Sequence, residues 1–260
     1  MLNKPFLFSR IILISLLFAG CFLGARQLSK FLHKHPISFI NNSSEHLDSF
    51  PDTEQDTTMP SKPTIVIDPG HGGRDPGKIG INNVLEKDLN LSISFKLQEL
   101  LQNNGFKVVL TRDKDCDLAF DSKNKFKSAD LKERVNIITE AKPALTISIH
   151  QNSFASNSNS STPCGSEVFY YRTSEEGKTL AYSIERRLYD NPRLNPCRGI
   201  TSNDSYYIIK KSPTPTVIIE CGFLSNFSEA ELLRSDSYQH QLVQAIYSGI
   251  CDYLGLQDCT

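Results

Sequence analysis

Two histidines and a glutamate, His71, His150 and Glu220, each stand at or just past the end of a short apolar run. Thr64-Ile65-Val66-Ile67-Asp68 leads into Pro69-Gly70-His71-Gly72-Gly73, Ala144-Leu145-Thr146-Ile147-Ser148-Ile149 stops at His150, and Thr216-Val217-Ile218-Ile219 stops at Glu220. Runs this short, apolar on both faces and rich in β-branched residues, read as buried strands of a parallel sheet. Chemistry in such sheets sits outside the carboxyl ends of the strands. Two imidazoles and a carboxylate therefore converge at one rim, although the sequence separates them widely.

A hydrolytic zinc centre takes three protein ligands and leaves one position open for water. His71 and His150 supply two of them. Glu86, in Val84-Leu85-Glu86-Lys87-Asp88, is the best carboxylate, with Asp75 and Asp88 as rivals. Asp68, at a strand end before Pro69, reads as a cap for the loop or an outer support that orients His71. Glu220 is the candidate base: it would take a proton from water and pass it to the leaving amine. Cys221 offers a competing thiol mechanism with His71 or His150 as base. Strand alternation turns it away from the side Glu220 faces, which favours an inert buried thiol. The Gly70-His71-Gly72-Gly73 segment lacks the lysine-serine ending of a phosphate loop. His240 reads as a surface or packing histidine, and His33, His35 and His46 as solvated residues of a tether.

The elements that must hold these residues read as one α/β domain, a mostly parallel twisted sheet flanked by helices, over residues 63–260. A helix capped by Asp88 or Asn90 carries Leu89, Ile93, Leu97, Leu100 and Leu101 at helical spacing and closes at Asn103-Asn104-Gly105. Phe106 to Thr111 is the next strand, completing a βαβ unit. Asp130 caps a helix through Leu131, Val135 and Ile138. Gly165 to Tyr171 is a strand, Ser174 caps a helix with Glu175 and Glu176 in its first turn, and Tyr206-Tyr207-Ile208-Ile209 reads as a short strand. Helices from Glu229 and from Tyr238 to Leu254 finish the domain.

Ahead of the domain, residues 1–30 carry Lys4 and Arg10 before the apolar Ile11 to Gly24, the pattern of a signal anchor or a cleaved signal peptide. Residues 31–62 read as a flexible linker, rich in Ser, Asp, Thr, Glu and Pro from Asn41 onward. This organisation implies an exported protein, membrane-anchored or extracytoplasmic. A net charge of -1 over 260 residues, without a basic stripe bearing interleaved aromatics, excludes nucleic acid as a partner. Leaving out Cys21, the remaining Cys116, Cys164, Cys197, Cys221, Cys251 and Cys259 permit disulfides without assigning any.

Four blocks carry a family resemblance: Ile67 to Gly73, Glu86-Lys87-Asp88-Leu89-Asn90-Leu91, Ser148-Ile149-His150-Gln151-Asn152-Ser153, and Ile219 to Asn226. In this order they resemble the signature segments of the zinc-dependent N-acetylmuramoyl-L-alanine amidases, catalytic domain type 3. The resemblance spans essentially the whole domain; Thr111-Arg112 and Leu131 to Arg134 share in it. It implies Zn2+ held by His71, Glu86 and His150, with Glu220 as the catalytic glutamate. The implied reaction is hydrolysis of the peptidoglycan amide between the lactyl group of N-acetylmuramic acid and L-alanine of the stem peptide.

The short polar Gln151 to Pro163 segment implies no built-in plugging helix, and the chain has no separate wall-binding repeats. A lone catalytic domain behind an anchor is similar to the germination-related subgroup. That likeness implies a role in forming muramic δ-lactam of spore cortex with a partner deacetylase; an activator protein is the alternative partner. The competing readings are a zinc peptidase acting on stem peptides and a non-catalytic wall-binding protein.

Overall fold

Valine and isoleucine dominate the runs that become the central strands, because branched side chains pack well on a pleated surface buried on both sides. The computed structural model describes residues 62–119, 126–154, 163–194 and 196–256. The leader at 1–30 and almost all of the linker at 31–62 lie outside the described residues. Among those described, no helix is long and apolar enough to cross a membrane.

In chain order the elements are β1 (Thr64–Pro69), α1 (Glu86–Asn103), β2 (Lys107–Leu110), α2 (Phe126–Ala141), β3 (Leu145–Asn152) and β4 (Ser166–Tyr171). They continue with α3 (Glu175–Asp190), β5 (Cys197–Asn203), α4 (Tyr207–Lys211), β6 (Thr216–Phe223), α5 (Phe227–Arg234) and α6 (Asp236–Leu254). The strands form one sheet in the order β2-β1-β3-β6-β4-β5. β2, β1, β3 and β6 run parallel. β4 lies antiparallel to β6, and β5 is parallel to β4. The expected α/β domain with a mostly parallel sheet is therefore present. The reversal adds a feature of its own: the amino ends of β4 and β5 share a rim with the carboxyl ends of β3 and β6.

Alternation along the strands divides the interior. Ile65, Ile67, Ile147, Ile149, Val217 and Ile219 face the larger layer, packed with α1, α3 and α6 through residues such as Ile93, Leu97, Ile184 and Ile246. Val66 and Ile218 face the other layer, against Ile138 of α2 and Ile208 and Ile209 of α4. Each such fully buried aliphatic side chain contributes about 1.5–3 kcal/mol. Asp68, Ser148, His150 and Glu220 have the same parity as Val66 and Ile218, so the polar face of the rim belongs to the α2 and α4 side.

Several local expectations change. Tyr206 to Ile209 is not a strand: Tyr207–Lys211 forms α4, with Ile208 and Ile209 both buried against the sheet and Pro213 just beyond its end. The polar edge strand β5 has no counterpart among the sequence expectations. Asp130 lies inside α2 rather than capping it; its carboxylate accepts from the Leu118 amide at 2.7 Å and from Arg134 Nε at 2.7 Å. α1 begins at Glu86 with no side-chain cap, ahead of Asp88 and Asn90. Ser174 does cap α3, accepting from Gly177 N at 3.0 Å. Asn226 caps α5, which places the helix start earlier than Glu229, and α6 starts at Asp236.

Candidate metal centre

The loop after β1 must bring His71 back over the strand ends, and it does so in an unusual conformation. His71 has φ +61, in the left-handed region that β-carbon-bearing residues disfavour. Two buried guanidiniums hold the loop there. Arg134 donates to Pro69 O at 2.7 Å, His71 O at 2.6 Å and Asp68 Oδ1 at 2.7 Å. Arg112 donates to Pro69 O, Gly70 O and Lys87 O at 2.8–3.0 Å, fastening the loop to the first turn of α1. A Cβ on Gly70 would collide with the His150 ring, and one on Gly77 with Glu86 and His71, so these glycines leave room for the cluster.

The donors converge on Glu86. Its Oε1 lies 3.1 Å from His71 Nε2 and 3.0 Å from His150 Nδ1, and also accepts from Gln151 N at 3.1 Å. Oε2 accepts from Lys78 N at 2.7 Å. One ligand atom from each of His71, Glu86 and His150 lies within 4.8 Å of the others, a set that could hold a metal ion. The imidazoles meet edge to face, with centroids 4.8 Å apart. On its far side His71 Nδ1 bonds Asp75 Oδ2 at 2.9 Å, the carboxylate–histidine arrangement that orients metal-binding imidazoles. A cavity of about 220 Å³ opens beside His71 and His150, bounded by Asp75, Lys127, Leu131 and Arg134.

Electrostatics suit a cation. Burial alone would lower the pKa of His71, but its bonds to Asp75 and Glu86 outweigh that and raise it to about 9. Burial would raise Glu86 and Asp75, yet the imidazoles, with Lys127 beside Asp75, hold both well below the usual carboxylate range. Glu220 behaves oppositely. Burial raises it to about 7; the His150 charge opposes the shift and the Glu86 charge adds to it. Among the described residues its Oε2 is buried without a hydrogen-bond partner. An orphaned carboxylate oxygen beside two imidazoles and an acid leaves a place for a cation and its water.

The sequence candidates separate clearly. His71, Glu86 and His150 come together, and Glu220 is the register partner of His150. Asp75 is in the cluster, but behind His71 rather than facing the other two ligands. Asp88 is exposed on α1. Asp68 does not touch the His71 ring; it accepts from Ser148, Thr111 and Arg134. Cys221 is buried in the opposite layer, where burial pushes its thiol far above the ordinary range. Cys116, Cys164 and Cys197 are also free thiols, whereas Cys251 is disulfide-bonded. His240 is exposed and bonds Asp236 O of its own helix at 2.8 Å. His33, His35, His46 and most of the 151–163 segment lie outside the described residues. Sequence reasoning missed Arg134 as the clamp on His71; the signal available was an arginine at helical spacing from Asp130, the kind of residue whose buried charge must find acceptors.

Comparison with known proteins adds a family. A family model described as N-acetylmuramoyl-L-alanine amidase matches residues 65–252. The chain is 38% identical over 192 residues to the germination-specific N-acetylmuramoyl-L-alanine amidase of Bacillus subtilis (strain 168), covering 73% of this chain and 78% of that one. It is equally 38% identical over 192 residues to the amidase LytC of the same strain, but this spans only 35% of LytC. Among solved structures, the CwlD amidase from Clostridioides difficile, in complex with the GerS lipoprotein, superposes with a TM-score of 0.70 at 36% identity. That match covers 75% of this chain and 99% of CwlD.

Proposed function

The chain belongs to the N-acetylmuramoyl-L-alanine amidase family, and from that premise we propose that it cleaves its amide at a zinc site made by His71, Glu86 and His150, with Glu220 as the proton carrier. The enzyme is a peptidoglycan amidase acting on the bond between N-acetylmuramic acid and L-alanine. The observation that carries the mechanistic reading is the placement of an unpartnered Glu220 oxygen beside the three-residue donor cluster. Nitrogen and oxygen donors in this number match a hydrolytic zinc site, which keeps a further position open. When bound, the ion supplies Lewis acidity, acidifying water and polarising the amide carbonyl.

The protein's own groups do the rest. Asp75 fixes the tautomer and aim of His71, and the Lys78 and Gln151 amides orient the Glu86 carboxylate. Glu220, with a pKa raised to about 7 by burial, stands near the point where a carboxylate both accepts and returns a proton efficiently. It takes one proton from the attacking water as the new carbon–oxygen bond forms. It then gives that proton to the nitrogen of L-alanine as the carbon–nitrogen bond breaks. The products are a free lactyl carboxylate and an intact peptide with a free amino end.

The biological setting is part of the same reading. Residues 1–30 would export and anchor the chain and 31–62 would tether residues 63–260, placing the enzyme outside the cytoplasm against the wall. Identity to a germination-specific relative across 78% of its length supports action on spore cortex, preceding a deacetylase that completes muramic δ-lactam. Likeness to an amidase bound by a lipoprotein supports a partner of that kind. Mass spectrometry of digested muropeptides tests the reaction: intact peptides and free lactyl groups support it, whereas shortened peptides still attached to muramic acid would assign a peptidase instead.

A further inference from the structure

We propose that Arg198 forms a subsite for the stem peptide, receiving the carboxylate of an acidic residue that follows L-alanine. This rests on the amidase reading above and extends it from the bond cleaved to the peptide recognised.

The placement follows from topology. β4 and β5 run against β6, so their first residues, Ser166-Glu167 and Cys197-Arg198, lie at the rim that carries His150 and Glu220. Glu167 is the antiparallel register partner of Glu220, which puts the two Cβ atoms about 4.5–5.5 Å apart on one face. Between the pairs Ser166↔Cys197 and Val168↔Ile200, β5 carries one residue more than β4. Gly199, at φ +92 with nothing near where a Cβ would stand, makes this bulge possible. A bulge of this kind re-aims the side chain beside it. Here Arg198 is turned toward Glu167, with its Nε 3.6 Å from Glu167 Oε2.

Arg198 is positioned and only partly satisfied: it ion-pairs with Glu167 through Nε, and its charge also acts on the buried Glu229 carboxylate. Its guanidinium lies 5.4 Å from the centroid of the Phe223 ring, and Glu167 is itself held by the Thr201 hydroxyl at 2.6 Å. Among the described residues the Arg198 guanidinium has no hydrogen-bond acceptor, and its side chain is 44% exposed. By contrast, Arg134 and Arg112 near the opposite side of the site spend their donors on buried carbonyls and carboxylates. A guanidinium stacked on an aromatic ring with its fork open is suited to a carboxylate. The glycan side of the scissile bond offers no free carboxylate, because the lactyl acid is the one tied up in the amide. The peptide side does where the residue after L-alanine is acidic; β5 lies two strands from β6, about 9–10 Å across the sheet, and two extended residues of about 7 Å together with the Arg198 side chain can span that. Without Arg198, Glu86, Glu167 and Glu220 would repel an anionic peptide.

The test uses the zinc-loaded protein and a pair of muramoyl peptides that differ only in whether the carboxylate of the residue after L-alanine is free or amidated. The wild type is expected to prefer the free acid by about tenfold in kcat/KM, chiefly through KM, as for a half-exposed charged contact. Arg198→Gln should bring that ratio to about one, and Arg198→Glu should invert it, with zinc content equal in all three proteins. A wild-type ratio of one, or a ratio that survives in Arg198→Gln, would overturn the subsite. Failure of the zinc-loaded wild type to cleave either substrate would instead overturn the amidase reading on which the subsite rests.

Discussion

His150 and Glu220 are register partners on the adjacent parallel strands β3 and β6. Side chains so paired project from the same face of the sheet, with the strands about 4.8 Å apart. The pairing puts a candidate ligand and a candidate base side by side by backbone geometry alone, before any loop contributes. Loops then complete the arrangement: the β1 loop supplies His71, and the start of α1 supplies Glu86. A rigid sheet thus sets the separation on which proton transfer depends, while the less regular segments supply the remaining donors.

Glu220→Gln keeps the shape and removes the exchangeable charge. Zinc affinity should stay within a few-fold of wild type, because the substitution leaves all three ligands in place, while kcat should fall by about 10²- to 10⁴-fold. Calorimetric zinc titration beside steady-state hydrolysis checks both. Comparable turnover in the two proteins would remove the base assignment.

Zinc uptake should release protons. The metal-free His71 has its pKa raised to about 9 by Asp75 and Glu86, so it is mostly protonated at about pH 7.5, and a metal takes only the neutral ring. Glu86 is already ionised there, its pKa being held low by both imidazoles. Titrations in buffers of different ionisation enthalpy should show about one proton from His71 near pH 7.5, declining as the pH passes 9. Zinc binding with no proton release near neutrality would contradict this charge arrangement.

Asp68 should make the metal-free domain sensitive to acid. Burial would raise its pKa, but Arg134 and the hydroxyls of Ser148 and Thr111 hold it below its ordinary value of 3.8. The folded state therefore keeps this carboxylate ionised when the unfolded chain has already taken a proton. Its contribution is fully present above about pH 4 and is lost as the pH falls through the lower folded value. Asp68→Asn, which leaves the Arg134 guanidinium with Asp130 as its remaining carboxylate partner, should cost about 1–3 kcal/mol at neutral pH. The gap should close in acid, as urea unfolding across pH would show; a gap independent of pH would place the charge elsewhere.

Some of this architecture is readable from residue types and some is not. β1, β3 and β6 announce themselves because they are buried on both faces and therefore apolar throughout. β5 does not: Cys197-Arg198-Gly199-Ile200-Thr201-Ser202-Asn203 is a half-exposed edge with a glycine bulge, and lacks the run or alternation that marks a strand. Tyr206 to Ile209 has strand-like composition, but one turn of helix buries Ile208 and Ile209 together, and burial overrides propensity in so short a piece. His71, His150 and Glu220 can be placed by strand ends alone. The choice among Glu86, Asp75 and Asp88 cannot, because it depends on how residues 76–85 fold back; the Ile79–Leu85 bridge and the Gly80 N to Val84 O bond, at 2.8 Å, bring Glu86 over the rim. Asp75 takes the orienting duty expected of Asp68 for the same reason, since the turn at Gly72 and Asp75 puts it behind His71.

The most direct measurement is muropeptide mass spectrometry on one preparation of this protein, stripped of metal, assayed in excess EDTA, and assayed again after zinc is restored. Intact stem peptides beginning with L-alanine should be absent under chelation and return with about one zinc per chain, while His150→Ala should not recover. Undiminished release of those peptides by the metal-free protein in EDTA would contradict a cation held by His71, Glu86 and His150.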